Sequence, residues 1–239
     1  MSDRAERTAQ LEAYHRDQVA TCVRCPLSEG RTQVVVGDGR LDADVMFVGE
    51  APGYHEDRQG IPFVGQAGKL LTTLLEEIGL RREDVFIANV LKCRPPGNRD
   101  PQPAEIGSCE PHLFRQISLI RPRLVCTLGN FATKLLSGRP DGISRVHGHP
   151  LPIEVAGASV TLYPLFHPAA ALYTRAMLST LQADFARIPE LIAAAPAPRL
   201  APAPVAAPEP VSAAVATAPA PDPARSAAPE PAGAQLGLF

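Results

Sequence analysis

Glu50, Asn89 and His167 each stand at or just past the end of an apolar run that reads as a buried strand. Val45-Met46-Phe47-Val48 leads into Gly49-Glu50-Ala51-Pro52-Gly53, Val85–Val90 contains Asn89, and Tyr163–Phe166 leads to His167. In an open α/β sheet, ligands bind at the carboxyl ends of the strands. Glu50 there, with Glu56 and Asp57 in the following loop, supplies carboxylates. Gly49, Pro52 and Gly53 let the backbone approach a planar ligand, and Phe63 follows a few residues on. An asparagine in so apolar a run must have its amide satisfied, by the protein or by a ligand. His167 precedes Pro168, which opens a helix. It reads as a hydrogen-bonded structural group or an electrophile, since no second histidine stands at a metal-ligand spacing. The chain contains no G-x-S-x-G, no Walker A sequence and no G-x-G-x-x-G.

Of the five cysteines, Cys22 and Cys25 form a C-x-x-C, and Pro26 follows as it does in iron–sulfur loops. Cys93 lies in Lys92-Cys93-Arg94-Pro95-Pro96 after a strand, and Cys109 near the start of a helix. Cys126, inside Leu124–Leu128, reads as a small core residue. Four candidate ligands remain, the number needed for a tetrathiolate zinc or a [4Fe–4S] cluster, and spacing does not separate the two.

The elements that would position these groups alternate. Strands are expected at Gln33–Gly37, Asp44–Val48, Val85–Val90, Leu124–Thr127 and Ser159–Pro164. Helices are expected at Thr8–Ala20, Gln66–Ile78, Pro103–Ile120, Asn130–Leu136 and Pro168–Ile188. That order predicts an α/β fold: a single three-layer domain with a mostly parallel central sheet and helices on both faces. The domain should span residues 1–192. Residues 193–234 hold 18 Ala and 11 Pro among 42 residues, too few large apolar side chains to offset the entropy of ordering, so they read as a disordered linker. The chain carries a formal net charge of −2, which gives no hint of nucleic acid. Arg115, Arg121, Arg123, Lys134, Arg139, Arg145, His147 and His149 nevertheless cluster between two expected strands and could form a basic face for a phosphate backbone. There is no membrane-length apolar run and no signal peptide, so a cytoplasmic protein with reduced cysteines and no membrane partner is expected.

Gly-Glu-Ala-Pro-Gly at 49–53, Phe-Val-Gly-Gln-Ala-Gly-Lys-Leu-Leu at 63–71, Asn-Val-Leu-Lys-Cys-Arg-Pro-Pro-Gly-Asn-Arg at 89–99 and His-Pro-Ala-Ala at 167–170 together resemble the family-four uracil-DNA glycosylases, over roughly residues 8–188. The resemblance implies a [4Fe–4S] cluster on Cys22, Cys25, Cys93 and Cys109, structural in role. It implies excision of uracil from single- or double-stranded DNA, leaving an abasic site, by a protein acting as a monomer at the nucleoid. The substrate-binding set would be Gly49, Glu50, Ala51, Phe63, Asn89 and His167. Phe63 would stack on the flipped base, Asn89 would read its Watson–Crick edge, and His167 would hydrogen-bond O2 as charge develops. Backbone N–H groups of the Glu50-Ala51 turn would contribute in the same sense. Ala51 stands where the best-known branch of the superfamily has a water-orienting aspartate. Glu50 is then the first candidate for that task and Glu56 the second. Gly53 stands where that branch excludes the thymine methyl with a tyrosine.

Two other readings compete. A related branch that traps uracil-DNA through a histidine carries a basic insertion after Gly-Glu-x-Pro-Gly, and the short loop Tyr54–Pro62 lacks it. A zinc-stabilised, non-catalytic nucleic-acid-binding module would be colourless where a cluster is brown. Finally, Gln235-Leu236-Gly237-Leu238-Phe239 resembles the peptide by which bacterial polymerases and repair proteins bind the β sliding clamp, with Gln235 as polar anchor and Leu236, Leu238 and Phe239 filling an apolar pocket.

Overall fold

The computed structural model describes residues 3–155, 157–196 and 199–200. The expected clamp peptide and nearly all of the expected linker lie outside the described residues.

The chain opens with α1 (Asp3–Tyr14), a π-helical turn at His15–Val19 and the one-turn α2 (Leu27–Gly30). It continues through β1 (Asp38–Gly39), β2 (Val45–Gly49), α3 (Tyr54–Gln59), α4 (Gln66–Glu77) and β3 (Phe86–Asn89). Next come α5 (Pro103–Ile120), β4 (Leu124–Leu128), α6 (Asn130–Ser137), α7 (Ile143–Val146), β5 (Leu151–Val155) and β6 (Ala158–Leu165). Three helices, α8 (Pro168–Ala171), α9 (Arg175–Ala186) and α10 (Ile188–Ala194), precede β7 (Arg199–Leu200).

The sheet order is β1-β3-β2-β4-β6-β5. The four central strands pair in parallel and β1 and β5 pair antiparallel at the edges. Successive residues of a strand point to opposite faces. Met46, Val48, Phe86, Ala88, Val125 and Leu162 therefore join one core with Leu11, Leu113 and Ile117 of α1 and α5. Val45, Phe47, Ile87, Cys126, Tyr163 and Leu165 join the other with Leu71 and Leu74 of α4 and Phe185 of α9. This is the expected three-layer α/β arrangement. Strand order reverses at β2, with β3 on one side and β4 on the other, which opens a crevice at the carboxyl ends of these strands.

Three expectations need correction. Residues 33–37 form no strand, because Gly37 adopts φ +135°, and pairing with β3 starts only at Asp38. The single helix expected at Pro168–Ile188 is two, α8 and α9, and α10 starts where it was expected to end. Thr174 breaks it with an extended backbone, and Pro189, which lacks an N–H, falls in the first turn of a new helix. The strand β5 was hidden by Pro150 and Pro152, which suit an edge strand as well as a loop. Past residue 192, α10 runs to Ala194 and β7 pairs Leu200 with Ala158.

Candidate active site

The carboxyl ends of β2, β3 and β6 place Glu50, Asn89 and His167 on one cleft of about 380 Å³, which Ala51 and Phe63 also line. Asn89 ends β3, and its side-chain Oδ1 is buried with no hydrogen-bond partner. Gly49, the last residue of β2, makes room for it. A Cβ there would lie 2.4 Å from Asn89 Oδ1 and 2.5 Å from the tip of the Phe63 ring.

His167 caps α8. Its Nδ1 accepts from the Ala169 N–H at 3.1 Å. A backbone N–H can only donate, so Nδ1 is unprotonated and the ring proton sits on Nε2. Burial, only partly opposed by Glu56, pulls the imidazole down to about 4, so it is neutral at physiological pH. The Phe63 ring faces it, with centroids 5.6 Å apart and planes 29° from parallel. Phe63 itself adopts φ +53°, unusual for a bulky residue. Arg82 fixes this conformation by donating to the Phe63 carbonyl at 3.0 Å and to that of Pro62. Gly68 allows it, because a Cβ at that position would fall 1.8 Å from the Phe63 oxygen.

The three carboxylates of this region have different fates. Asp57 Oδ1 accepts from the Thr32 N–H at 2.9 Å. Glu56 accepts from the N–H groups of Gly53, Val64 and Gly65 at 3.1, 2.9 and 2.9 Å, which binds the two ends of its loop together. That occupies Glu56 with the backbone and leaves it poorly suited to orient water. Glu50 is half-buried on the cleft, and burial, with the charge of Asp100, raises its carboxyl above the ordinary value. The segment expected as a bare loop is in fact α3, and the carboxylate of Glu56 caps its start.

The expected basic face does not form as one patch. Arg121 and Arg123 flank the amino end of β4, opposite the cleft, where they donate to Asp3 and to the Ala195 carbonyl. His147 packs against Phe166, the neighbour of His167, with ring centroids 4.3 Å apart, and its Nδ1 is bonded to Asp184 at 2.8 Å. The cations on the cleft come from elsewhere. Arg99 lines it, tied to Glu105 at 2.6 and 2.9 Å, and Arg94, next to the lining residue Pro95, stacks over the Tyr54 ring at 5.2 Å. Their place in the Arg-Pro-Pro-Gly-Asn-Arg run was a signal that reading for charge clusters alone missed.

Cys22, Cys25, Cys93 and Cys109 open onto one enclosed cavity, whereas Cys126 is fully buried in the core. Three of the four sulfurs have a nitrogen partner at 3.2 Å: Arg31 Nη1 for Cys93, the Lys92 N–H for Cys109 and His112 Nε2 for Cys22. The Tyr14 hydroxyl bonds the other ring nitrogen of His112 at 2.7 Å. Burial raises the Cys93 thiol and takes Cys109 to about 11, so neither is a thiolate unless a metal displaces its proton. Among the described residues, no group of three or more His, Cys, Asp or Glu side chains is gathered to hold a single metal ion.

Residues 36–189 match the family model of the Uracil DNA glycosylase superfamily. The chain is 45% identical over 185 residues to the Type-4 uracil-DNA glycosylase of Saccharolobus solfataricus, covering 75% of this chain and 86% of that one. It is 47% identical over 178 residues to the Type-4 uracil-DNA glycosylase of Archaeoglobus fulgidus, covering 73% and 89%. It is 48% identical over 160 residues to the one of Thermotoga maritima, covering 66% and 82%. A sheet that brings the motif residues to one cleft, a family match across that sheet and relatives this similar converge on one assignment: the chain belongs to the uracil-DNA glycosylase superfamily, in its type-4 branch.

Proposed function

We propose that this protein is a uracil-DNA glycosylase of DNA repair, which flips uracil out of DNA and hydrolyses its N-glycosidic bond. The observation that carries this reading is the pairing, on one cleft, of a buried Asn89 acceptor without a partner and a neutral His167 whose proton is on Nε2. A carboxamide can accept from uracil N3–H and donate to O4. Cytosine offers the opposite pattern and would leave both groups mispaired in a dry site. As the bond to the sugar breaks, negative charge grows on the base, and His167 Nε2–H donates to O2 while the Glu50-Ala51 turn adds backbone N–H groups. A neutral donor suits this task, since it need not give up a proton. Glu50, whose carboxylate no backbone group of its own loop occupies, orients the water that completes hydrolysis. Leu172 and the almost wholly exposed Tyr173 follow α8, a few residues past His167, and suit the gap that a flipped base leaves in the stack.

The cysteine site suits an iron–sulfur cluster. Four thiols line one cavity, and N–H groups aim at the sulfurs, as they do around such clusters. Cys22, Cys25, Cys93 and Cys109 would hold a [4Fe–4S] cluster that ties the loop after β3 to α5 and the amino-terminal turn. We further propose, from sequence, that Gln235, Leu236, Leu238 and Phe239 tether the protein to a β sliding clamp. A flexible linker would then raise the local concentration of the glycosylase at replicating DNA. Such work places the protein in the cytoplasm, at the nucleoid. No helix among the described residues is long and apolar enough to cross a membrane.

Incubation with a labelled uracil oligonucleotide, followed by alkaline cleavage, tests the activity: strand breaks at uracil support it and their absence removes it. Deleting residues 235–239 should abolish clamp binding in calorimetric titration and leave excision on short oligonucleotides unchanged.

A further inference from the structure

Lys92 lies between the cleft and the cysteines. It is buried, at 2% exposure. Its Nζ donates to the Asn89 carbonyl at 2.9 Å and to Gln116 Oε1 at 2.6 Å. Its backbone N–H donates to Cys109 Sγ at 3.2 Å. Gln116 Nε2 in turn donates to the Val36 carbonyl at 2.8 Å and to His15 Nε2 at 2.9 Å. Removing an ammonium from water is costly, and both acceptors here are neutral. The cavity of the four thiols, which Lys92 lines, supplies negative charge once a metal takes their protons.

The β-ladder shows what the lysine does. Consecutive residues of a strand point their polar backbone groups toward opposite neighbours. Val90 N–H donates to the Gly49 carbonyl of β2, so the Asn89 carbonyl faces the other side. On that side β1 pairs only with Phe86 and Ile87. Lys92 Nζ supplies the bond that a longer β1 would have made. The Asn89 side chain leaves the sheet from this backbone, and since its Oδ1 has no hydrogen-bond partner, only packing beside Gly49 and the Phe63 ring adds to what the backbone sets.

We infer that Lys92 is a positioning residue for base recognition, fixing the backbone of Asn89 against α5 so that the direction of the carboxamide depends on the helix that carries Cys109. The inference rests on the reading of Asn89 as the group that meets uracil. It gives the cysteine site a second consequence beyond holding loops together: displacement of α5 would be felt at the reading edge through one side chain.

A double-mutant cycle on the full-length, iron-loaded protein tests it, with Lys92→Met, Asn89→Ala and the pair. Each variant is measured by single-turnover excision, by calorimetric binding of free uracil, and by iron per chain and affinity for the DNA. Lys92→Met should keep its iron and its DNA affinity, yet lose about tenfold or more in excision rate and uracil affinity, the scale of one misdirected buried hydrogen bond. In the Asn89→Ala background the same change should add almost nothing. Wild-type rates in Lys92→Met, or losses that multiply in the pair, would overturn the inference. If Lys92→Met does not fold, Gln116→Leu, which keeps the lysine and removes one anchor, should show a smaller loss with the same lack of additivity. Failure of both variants to fold would assign Lys92 to the fold alone and also overturn it. Full activity in Asn89→Ala would instead overturn the reading of Asn89 as the group that meets uracil.

Discussion

The cleft and the cysteine site lie on either side of the same loop after β3, yet they treat their polar groups in opposite ways. Around the cysteines, Arg31, the Lys92 N–H and His112 are bonded to sulfur, and Tyr14 in turn holds His112. In the cleft, Asn89 Oδ1 is buried and unpaired, and Glu50 is half-buried with its carboxyl raised. Most buried polar groups in native proteins are satisfied, and of the three unpaired buried side-chain atoms among the described residues, Asn89 Oδ1, Arg121 Nε and Arg123 Nε, only the first belongs to a residue that lines the cleft. The contrast separates a region built to hold its contents from one that keeps its groups for a visitor. Glu56 marks the border: it is near the cleft, but three backbone N–H groups bind it to the structural side.

Breaking the structural side should produce the largest effect. If the four cysteines hold the proposed [4Fe–4S] cluster, Cys109→Ser should cost the protein its iron and its brown colour. It should also lower the thermal midpoint by roughly 10 °C, the equivalent of about 3–5 kcal/mol in a domain of this size. Cys126→Ser, in the core, should leave iron content unchanged, and colour loss in that variant would contradict the division drawn above. On the cleft side, His167→Ala should keep fold and iron but lower the single-turnover rate by on the order of 10²–10³, the usual cost of one donor to a developing anion. Loss of iron in this variant would erase the contrast. Gly49→Ala sharpens it further, since the atoms nearest the added methyl are Asn89 Oδ1 and the Phe63 ring. It should weaken uracil binding by about tenfold, a cost near 1.4 kcal/mol, while iron per chain stays constant.

The smallest effects should appear as a pH profile. Glu50 titrates above its ordinary value and His167 only near 4. As pH falls, kcat/KM should therefore decline first through protonation of Glu50. A second decline should follow when a proton on His167 Nδ1 confronts the Ala169 N–H. Glu50→Gln should remove the first decline and leave the second. Stability follows the same sign. A histidine held near 4 in the fold, against an ordinary 6.5, contributes stability that is complete above 6.5 and is lost as pH falls through about 4, and His15 behaves alike. Acid denaturation curves that show no such loss between pH 6.5 and 4 would contradict the burial described for these rings.

Much of this was legible in the residues. Short continuous apolar runs marked the central strands, and helical periodicity marked α5, whose start at Pro103 and Glu105 can be read directly. The motif order placed Glu50, Asn89 and His167, and the apolar setting of Cys126 separated it from the other four. The misses have local causes. Pro152 made an edge strand look like a loop, Gly37 ended an extended run, and Thr174 interrupted a helix that its apolar residues would have continued. Charge clustering along the chain misled because Arg121 and Arg123 fold to the amino end of the sheet. The roles of Lys92, Arg82 and Glu56 rest on long-range contacts with Gln116, Phe63 and Gly65, which spacing does not encode.

The central claim is that the unpaired groups of the cleft are there for uracil. The most direct measurement is base release by the purified protein from matched oligonucleotides that carry a single uracil, cytosine or thymine, read as alkali-labile strand breaks over time. The predicted result is release of uracil alone, abolished or reduced by on the order of 10²–10³ in Asn89→Ala. No release of uracil, or release that is unchanged in Asn89→Ala, would contradict it.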